Sequence, residues 1–524
     1  MRKNWTKAVA CMLGLSMALG VATSAFAEDE NTDAVLEVEA DAELEAEVGV
    51  GTASGYATKD LALGTTVKGV FTKDVGNIGS TYGINYLMPK GTDTGADISV
   101  KVTKWGKGEN PTLNVTLSKV AVDADTAQKL KEQTISSTSE NHEVVWDNEN
   151  LSAFTMELWG KKFDGQYGIT VETESLDTEF EITVKPKGYK IITENGVVRY
   201  AGNVALDTMQ AIVDNGGVFA QSENVIIATI DGYWDALAAS SLAGTLEAPV
   251  LITDGNALSA QTKAEIERLG AKNAIIVGGT NAVSDNVQKE IEKLGVKTDR
   301  AAGQLAVDTA VEIYKKGKDQ WGDTAIIATS NGYWDALAIA PYAWSIKAPI
   351  FLTGTEKATG DQQVLPSSAL DALLADGRFK QIIIVGGPAA VSEHCEKEQL
   401  VKGYCKKYDL PDTAVVRLAG KIAIETSAEI AKFEAEAMGG EDFRMTVATS
   451  DGYWDALTAA PVVGKQGKNL LVLVDKDGAN TTAIDAALKL GNVGRVQVLG
   501  GEAALSSKVW DYLVENAGHD ERQM

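Results

Sequence analysis

Short apolar runs alternate with amphipathic segments from about residue 191 to the end of the chain. The runs, such as Val225 to Thr229, are continuously apolar rather than alternating, which is typical of strands buried on both faces of a sheet. Segments such as Ala264 to Leu269 place apolar residues at helical spacing. Because strands and helices alternate at short intervals, the pattern predicts βαβ units with right-handed crossovers and parallel sheets covered by helices.

One eight-residue phrase occurs three times in this α/β part. It is Asp-Gly-Tyr-Trp-Asp-Ala-Leu-Ala at 231–238, and it returns with one changed residue at 331–338 and at 451–458. Each phrase directly follows an apolar run, and self-similarity of this kind predicts one structural unit in triplicate. The predicted strands are 225–229, 249–253 and 275–279 in the first copy, 325–329, 349–353 and 382–387 in the second, and 446–449, 470–474 and 496–501 in the third.

The pattern between residues 55 and 190 differs, because apolar and polar residues alternate with a period of two. Half-buried strands are predicted at 97–102, 113–117, 167–174 and 180–185, and a short helix at 123–132. We interpret this β-rich region as a sandwich. Trp105, Trp146 and Trp159 are predicted to lie in its core or at its rim rather than to form a sugar platform.

The first 27 residues have the pattern of a secretory signal peptide. Basic residues precede an apolar stretch from Ala8 to Val21, and Ala25-Phe26-Ala27 has the form of a cleavage site. Residues 28–54 are predicted to be an extended acidic linker, since 28–47 contains ten acids and no Lys or Arg. No later stretch reaches the roughly 18 consecutive apolar residues of a transmembrane helix, so no membrane span is expected after signal cleavage.

Charge and residue types narrow the function. The formal net charge is −25, which argues against nucleic acid and anionic membranes as partners, because both attract basic patches. The three histidines do not recur among the copies, and no zinc-protease, nucleophile-elbow, P-loop or dinucleotide motif occurs. We therefore predict no catalytic residue, metal or cofactor. Cys395 and Cys405 either form a disulfide across their short loop or remain free.

The repeated phrase carries the first set of candidate site residues. Its Tyr-Trp pair lies in the turn after a strand, where open α/β sheets place ligand crevices. The rings either pack between copies or offer flat faces and N–H and O–H groups to sugars. The Asp that follows each pair is predicted to cap a helix. These residues are Tyr233, Trp234 and Asp235; Tyr333, Trp334 and Asp335; and Tyr453, Trp454 and Asp455.

The beginning and end of each copy carry the second set. Each copy opens with Arg-x-Ala-Gly, at Arg199, Arg300 and Arg417. A guanidinium can bind phosphate or carboxylate through two parallel hydrogen bonds, or it can form a salt bridge with the acid eight residues later. The last strand of each copy ends in Gly-Gly, and the serine that closes this loop is predicted to cap the next helix. These serines are Ser284, Ser392 and Ser506.

These phrases in combination resemble the type 2 cell-wall-binding repeat of Gram-positive surface proteins, which usually occurs as three tandem copies and is abundant in clostridial cell-wall and S-layer proteins. The resemblance rests on Arg-x-Ala-Gly, the Gly-aromatic-x-Asp-Ala-Leu-Ala turn, the Ala-Pro-apolar strand and Gly-Gly-x-x-Ala-Val-Ser, and it covers about residues 191–513. It implies a Rossmann-like fold for each copy, a pseudo-trimer of copies, and non-covalent binding to an anionic wall polysaccharide, the secondary wall polymer.

The resemblance also implies site residues. The family's Pro-Ile-Leu-Leu segment, which is associated with anchoring, corresponds to Pro249, Val250, Leu251 and Ile252 and to Pro349, Ile350, Phe351 and Leu352. The third copy has Asn469 in place of the proline, which leaves open whether it binds as well as the others. Together with the arginines and the Tyr-Trp pairs, these residues are the candidates for polymer contact.

We therefore predict a secreted surface protein that is held on the cell wall by three repeats and displays its β-rich domain. Two alternatives remain open: an S-layer subunit that self-assembles, and a wall hydrolase with its site in residues 55–190. Other surface proteins also remain open as partners. The predicted order is signal peptide 1–27, linker 28–54, β-rich domain 55–190, and repeats 1, 2 and 3 at 191–295, 296–412 and 413–524.

Overall fold

The computed structural model describes residues 56–517, except 65, 89–94, 121–127, 152–154, 159–160, 215–217 and 357–361. The predicted signal peptide, the whole predicted linker 28–54 and Trp159 therefore lie outside the described residues. The described part belongs to one compact unit, Val48–Met524.

The β-rich region forms two larger antiparallel-rich sheets and one hairpin. One sheet has the order β1-β4-β11-β6-β7 with β3 beside β4, the second has the order β2-β12-β5-β8, and β9 pairs with β10. Apolar side chains from both larger sheets, such as Val100, Leu117 and Val171, form one buried cluster. The strands are β1 Ala57–Asp60, β2 Thr66–Val70, β3 Asn77–Ile78, β4 Thr81–Leu87, β5 Gly95–Lys104, β6 Thr112–Val120, β7 Gln128–Ser136, β8 Glu143–Asn150, β9 Thr155–Leu158, β10 Lys161–Asp164, β11 Gln166–Thr173 and β12 Glu179–Pro186.

The helix predicted at 123–132 is wrong for its second half. Residues from Gln128 onward belong to β7, which pairs with β6 along its whole length, for example Lys131 with Leu117. Pairing with a neighbouring strand overrides the local helix preference of Gln, Lys and Glu, and residues 123–127 lie outside the described part. Trp146 is buried in the core and Trp105 packs against it.

The repeats contain helices and strands in alternation. They are β13 Tyr189–Glu194, β14 Val197–Gly202, α1 Ala205–Val213, β15 Asn224–Thr229, α2 Ala239–Leu246, β16 Val250–Thr253, α3 Ala260–Leu269, β17 Asn273–Val277, α4 Asp285–Lys293, β18 Lys297–Ala301, α5 Ala306–Lys316, β19 Thr324–Thr329, α6 Trp334–Ser345, β20 Ile350–Glu356, β21 Gln362–Val364, α7 Ser367–Ala375, β22 Gln381–Val385, a π-helix Cys395–Cys405, a 3₁₀ turn Asp412–Ala414, β23 Val415–Leu418, α8 Ala423–Met438, β24 Asp442–Thr449, α9 Trp454–Gln466, β25 Asn469–Val474, α10 Thr482–Leu488, β26 Asn492–Leu499 and α11 Ser507–Asn516.

Three sheets arise from these strands, in the orders β16-β15-β17-β18, β21-β20-β19-β22-β23 and β13-β14-β26-β24-β25. The three strands predicted for each copy pair in parallel within one sheet. The central strands are buried over their whole length, as in β19, because helices cover both faces. The prediction of an α/β fold with parallel sheets is confirmed.

Each sheet is completed by a strand from the next copy. β18, which opens repeat 2, pairs with β17 of repeat 1, and β23, which opens repeat 3, pairs with β22 of repeat 2. β14, which opens repeat 1, pairs with β26 of repeat 3. The three sheets are therefore linked in a closed cycle, and the Arg-x-Ala-Gly phrase belongs to the strand that makes each link.

Helices α2, α6 and α9, one from each copy, pack against one another. Glycines allow their close approach: a Cβ added at Gly244 of α2 would lie 2.3 Å from the carbonyl oxygen of Trp344, and one at Gly464 of α9 would lie 2.7 Å from that of Pro341. The buried apolar cluster continues through this contact across all three copies. The turns that precede these helices are thereby brought together.

Candidate functional site

The tyrosines of the three repeated phrases meet at one point. The ring centroids of Tyr233, Tyr333 and Tyr453 lie 5.2, 5.5 and 5.6 Å from one another. Aromatic rings at these separations attract one another through edge and tilted contacts. One tyrosine from each copy thus forms a three-membered cluster, here called the tyrosine cluster, where the copies join.

The Tyr-Trp pair of one copy also binds the backbone of the next. The Tyr333 hydroxyl and Trp334 Nε1 both donate to the carbonyl oxygen of Ser450, at 3.0 and 2.7 Å. Tyr453 and Trp454 donate in the same way to Ile230, both at 2.9 Å. The accepting residue in each case directly follows a central strand. The tyrosines of the pairs therefore pack between copies, which was one of the two interpretations; the other was contact of the rings with a sugar.

The tryptophans remain partly open to solvent, and so does one aliphatic residue near the start of each copy. Among the described residues of the repeats, six large apolar side chains are exposed, and they occupy two equivalent positions in each copy. They are Trp234, Trp334 and Trp454, exposed by 51, 36 and 37 %, and Val204, Leu305 and Ile422, exposed by 54, 66 and 49 %. Because the same two positions are exposed in every copy, they are candidates for a contact surface.

A cleft of about 530 Å³ lies where repeat 3 meets repeat 1. Val204 and Trp454 both line it, together with residues at the carboxyl ends of β14, β24 and β26. This is the end of a parallel sheet at which ligands bind in open α/β folds. The cleft is therefore the described example of a groove formed by one Trp and the aliphatic residue of the following copy.

The aspartates of the phrase do not cap helices, contrary to the prediction. The N-cap residues are Tyr333 in α6 and Tyr453 in α9, so Asp335 and Asp455 lie inside the first turn. In repeat 1, where α2 begins at Ala239, Ala238 occupies the N-cap and Asp235 precedes the helix. The N-cap positions thus lie two residues before the Asp in repeats 2 and 3 and three residues after it in repeat 1, and none of the three N-cap side chains makes a capping hydrogen bond.

Each of these carboxylates instead packs against the Gly-Gly loop of its own copy. A Cβ added at Gly278, Gly386 or Gly500 would lie 2.4 to 2.7 Å from an Oδ2 of the Asp, and all three glycines have φ between +90° and +102°. Glycine is required at these three positions because a Cβ would clash with the Asp carboxylate and because other residues rarely adopt such a positive φ. Burial raises the pKa of Asp335 from 3.8 to about 6 and that of Asp455 to about 7.

The three opening arginines all bind backbone atoms of the preceding copy. Nη1 of Arg199, Arg300 and Arg417 donates to the carbonyl oxygen of the first glycine of the preceding copy's Gly-Gly loop, at 3.3, 2.9 and 2.7 Å. Arg199 is only 4 % exposed. Among the described residues, no ion pair joins an opening Arg to the acid eight residues later. Arg199 is thus enclosed beneath its loop, whereas Arg300 and Arg417 remain partly exposed.

The family model for cell wall binding domain 2 matches residues 199–288, 300–396 and 417–510, which together make up more than half of the chain. The chain belongs to the cell wall binding domain 2 family. The resemblance drawn from the repeated phrases is thereby confirmed, and the three matches begin at the three opening arginines.

Two curated relatives from Bacillus subtilis share this similarity. N-acetylmuramoyl-L-alanine amidase LytC is 27 % identical over 324 residues, which are 62 % of this chain and 59 % of LytC. Amidase enhancer is 27 % identical over 372 residues, 70 % of this chain and 47 % of that protein. The chain thus spans about half to three-fifths of the length of the curated relatives it matches.

Two solved structures from Clostridium difficile show the same fold. Cwp6 aligns with a TM-score of 0.51 and 20 % identity over 81 % of this chain and 66 % of its own. Cwp8 aligns with a TM-score of 0.52 and 19 % identity over 76 % of this chain and 80 % of its own. Together with the family match, they identify a cell-wall-associated surface protein. No helix within the described residues has the length and apolar character needed to cross a membrane.

The anchoring segment of this cell wall binding domain family is buried in both copies that have the proline, which contradicts direct contact with a polymer. Val250, Leu251 and Ile252 lie in β16, and Ile350, Phe351 and Leu352 lie in β20; all are at most 1 % exposed. The carbonyl groups of Pro249 and Pro349 accept hydrogen bonds from the adjacent central strand. These residues stabilise the sheet on which the grooves are built.

The serines that close the Gly-Gly loops differ in their contacts. Ser284 is the N-cap of α4, and its hydroxyl accepts a hydrogen bond from the Val287 amide. Ser392 accepts in the same way from Cys395. Ser506 is the N-cap of α11, but its hydroxyl makes no capping hydrogen bond. All three serines therefore close a Gly-Gly loop, but only Ser284 and Ser392 accept a hydrogen bond from the backbone amide three residues later.

The disulfide considered for Cys395 and Cys405 is not formed. Both are buried free thiols at the two ends of the π-helix. Ten residues of helix separate two Cα atoms by on the order of 10 Å or more, whereas a disulfide requires a separation under roughly 7 Å. The prediction of a short loop between the cysteines was wrong, so the bridge is excluded by geometry.

Replacing Arg417 with methionine is expected to lower the free energy of unfolding by roughly 2 to 3 kcal/mol, because charge-assisted hydrogen bonds contribute that much when a partner is removed. Arg417 donates to Gly386 and, through Nε and Nη2, to Glu396 at 3.1 and 2.8 Å. Urea unfolding measures the change. Unchanged stability together with lost wall binding would show instead that Arg417 contacts the polymer.

Proposed function

We propose that this is a secreted surface protein anchored non-covalently to the cell wall, whose three repeats bind an anionic wall polysaccharide, the secondary wall polymer. Family membership supports attachment to the wall. The observation that carries the proposal is the threefold recurrence of an exposed Trp and an exposed aliphatic residue. An indole offers a flat apolar face to a sugar ring.

Repetition suits a polymeric ligand. Three weak sites on one body, each meeting a unit of a repeating polymer, gain roughly 10²-fold or more in affinity, since the second and third contacts are intramolecular. A single site of the same kind would release the chain readily. The grooves therefore fit an anchoring role better than a role in turnover, and we propose that the repeats are not catalytic. The names of the two curated relatives, an amidase and an amidase enhancer, describe those proteins.

We further propose that the three sheets form Rossmann-like domains arranged as a pseudo-trimer, with residues 55–190 as a sandwich-like domain displayed from the wall. The tyrosine cluster and the cyclic exchange of strands support the first part. The shared core of the two larger β-sheets supports the second. The proposed domain order remains linker 28–54, β-rich domain 55–190 and repeats at 191–295, 296–412 and 413–524, after a signal peptide at 1–27.

Replacing Trp234, Trp334 and Trp454 together with alanine is expected to weaken binding of the chain to purified cell walls by about 100-fold or more, because three contacts are lost at once. Replacing the same residues with phenylalanine is the matched control: it keeps a flat ring for the sugar but removes the indole N–H groups, which in Trp334 and Trp454 donate to the neighbouring copy. Binding of the phenylalanine variant should stay within about tenfold of the wild type.

Co-sedimentation with intact walls and with walls stripped of their secondary polymer measures both variants. Loss of wild-type binding on stripping supports the proposal. Equal binding of the alanine and wild-type chains would contradict the role of the grooves. Ordered arrays formed without any wall would favour the S-layer alternative. Circular dichroism establishes that each variant is folded.

A further inference from the structure

The cleft between repeats 3 and 1 is acidic. Three carboxylates line it, those of Asp231, Asp451 and Asp455, and the residues that line it include no Lys, Arg or His. Asp231 and Asp451 are exposed at its surface. A cleft with this lining attracts a cationic group and repels an anionic one. The effect is strongest in direct contact, because salt screens charges least over a few ångströms.

The partial positive charges of helix N-termini at the cleft do not make it attractive to anions. The N-termini of α1 and α9 both reach the cleft, and free N–H groups there would favour an anion. Each helix already has an acid in its first turn, however: Asp207 in α1, whose Oδ2 accepts from the Val204 amide, and Asp455 in α9. Asp207 thus compensates the positive end of α1, whereas Asp455, whose pKa burial raises to about 7, compensates that of α9 only where it is ionised.

The arginine that opens repeat 1 does not supply a cation to the cleft. Arg199 is buried beneath the Gly500–Leu505 turn, where its Nη1 donates to the carbonyl groups of both residues. Its guanidinium lies over the ring of Trp510, with the carbon 5.2 Å from the ring centroid. It does not line the cleft, so it offers no hydrogen bond to a ligand there.

The cleft also has an apolar part, which indicates a second property of the ligand that it fits. The exposed faces of Trp454 and Val204 lie beside the carboxylates. An aromatic face attracts a cation as well as an apolar ring surface, and a carboxylate gives an ammonium group a charge-assisted hydrogen bond. The two features together match a sugar ring that carries a protonated amine.

We infer that the cleft between repeats 3 and 1 binds an amino sugar of the wall polymer through its ammonium group, with Asp231 and Asp451 as the charge partners and Trp454 as the stacking platform. This inference rests on the proposed function and adds the chemistry of one bound unit. A polymer that is anionic overall can carry such units, because the cleft contacts only a short stretch of it.

The three copies differ in a way that makes the inference specific. Residues 231, 331 and 451 are equivalent, and the second is Asn331 rather than Asp. The cleft between repeats 3 and 1 takes its two outer residues from 231 and 451, which are both acidic. At the other two junctions, one residue of the equivalent pair is Asn331. Selectivity for ammonium is therefore expected to be greatest between repeats 3 and 1.

Isothermal titration of the purified full chain with three soluble hexasaccharides tests the inference: a glucosamine hexamer, an N-acetylglucosamine hexamer and a galacturonic acid hexamer, in a slightly acidic buffer that keeps the amines protonated. The glucosamine hexamer is expected to bind roughly tenfold more tightly than its acetylated counterpart, as charge-assisted hydrogen bonds imply. The Asp231→Asn, Asp451→Asn double variant should lose that preference, and Trp454→Ala should weaken both neutral and cationic hexamers.

A matched control separates a specific site from general attraction to an acidic protein. Asp319→Asn with Asp371→Asn changes the net charge equally at exposed positions that do not line the cleft. If this control loses the preference as much as the cleft variant does, or if the acetylated or uronic acid hexamer binds best, the inference is overturned. Wild-type binding to intact walls without any preference for the glucosamine hexamer overturns the inference alone, whereas failure to bind walls overturns the proposed function.

Discussion

Replacement of Tyr453 with alanine is expected to lower the free energy of unfolding by about 3 kcal/mol, near the lower end of the range for removing a large aromatic side chain, since the ring is only half buried. The ring lies 5.5 and 5.6 Å from the other two tyrosines and 4.4 Å from Trp454. Its hydroxyl donates to Ile230 of repeat 1. The substitution therefore removes contacts with both neighbouring copies at once.

Tyr453→Phe distinguishes ring packing from the hydrogen bond. This variant keeps the tyrosine cluster and loses only the donor, so it should cost about 1 kcal/mol. Tyr512→Ala serves as a control outside the junction, where a half-buried tyrosine binds Asp485. Urea unfolding followed by far-ultraviolet circular dichroism measures all three. An alanine variant as stable as the phenylalanine variant would show that the three rings contribute nothing to joining the copies.

The stability of the repeats is expected to fall as the pH rises from about 4 to about 7. Burial raises the pKa of Asp455 from 3.8 to about 7 and that of Asp335 to about 6. In this range the folded chain keeps protons that the unfolded chain has released, so stability decreases with rising pH until the folded groups also ionise. The loss from Asp455 alone is up to about 4 kcal/mol.

Asp455→Asn is expected to remove the part of this dependence that comes from Asp455, because the amide is nearly isosteric with the neutral carboxyl and does not ionise. At a pH above 7 the variant should be more stable than the wild type, although it loses a carboxylate. Urea midpoints across the pH series measure the effect, with the exposed Asp319→Asn as control. Curves for wild type and Asp455→Asn that remain parallel throughout would contradict a raised pKa.

The sequence predicted the central strands well because the signal is local. Val225 to Thr229 and its two counterparts are apolar on both faces, and only a strand covered on both faces accommodates that pattern. The sequence did not reveal that Val197–Gly202 completes the sheet of repeat 3. Its apolar residues indicate a strand but carry no information about a partner some 300 residues away, which depends on how the copies pack.

The site was predicted in part, and the errors share a cause. The repeated Tyr-Trp pairs stay a prediction as a binding site, although their tyrosines meet between the copies. The sequence did not show that Arg199 and the Pro-Ile-Leu-Leu counterparts are enclosed by the neighbouring sheet and loops. Enclosure is a tertiary property. One available signal was missed: Val204, Leu305 and Ile422 are apolar at the start of a helix, where a polar N-cap residue is the rule, and their exposure indicates another role.

The cyclic exchange of strands has a consequence for how such anchors evolve. Stacked solenoids gain or lose units at their ends with little effect on the rest. Here β14, from the start of the array, occupies a place between β13 and β26 in the last sheet, so an insertion or deletion of one unit would separate partners that must meet. A shortened array would expose an unpaired sheet edge, which invites a second chain to supply the missing strand. The copy number is thus fixed by ring closure, and duplication is expected to proceed by whole triplets.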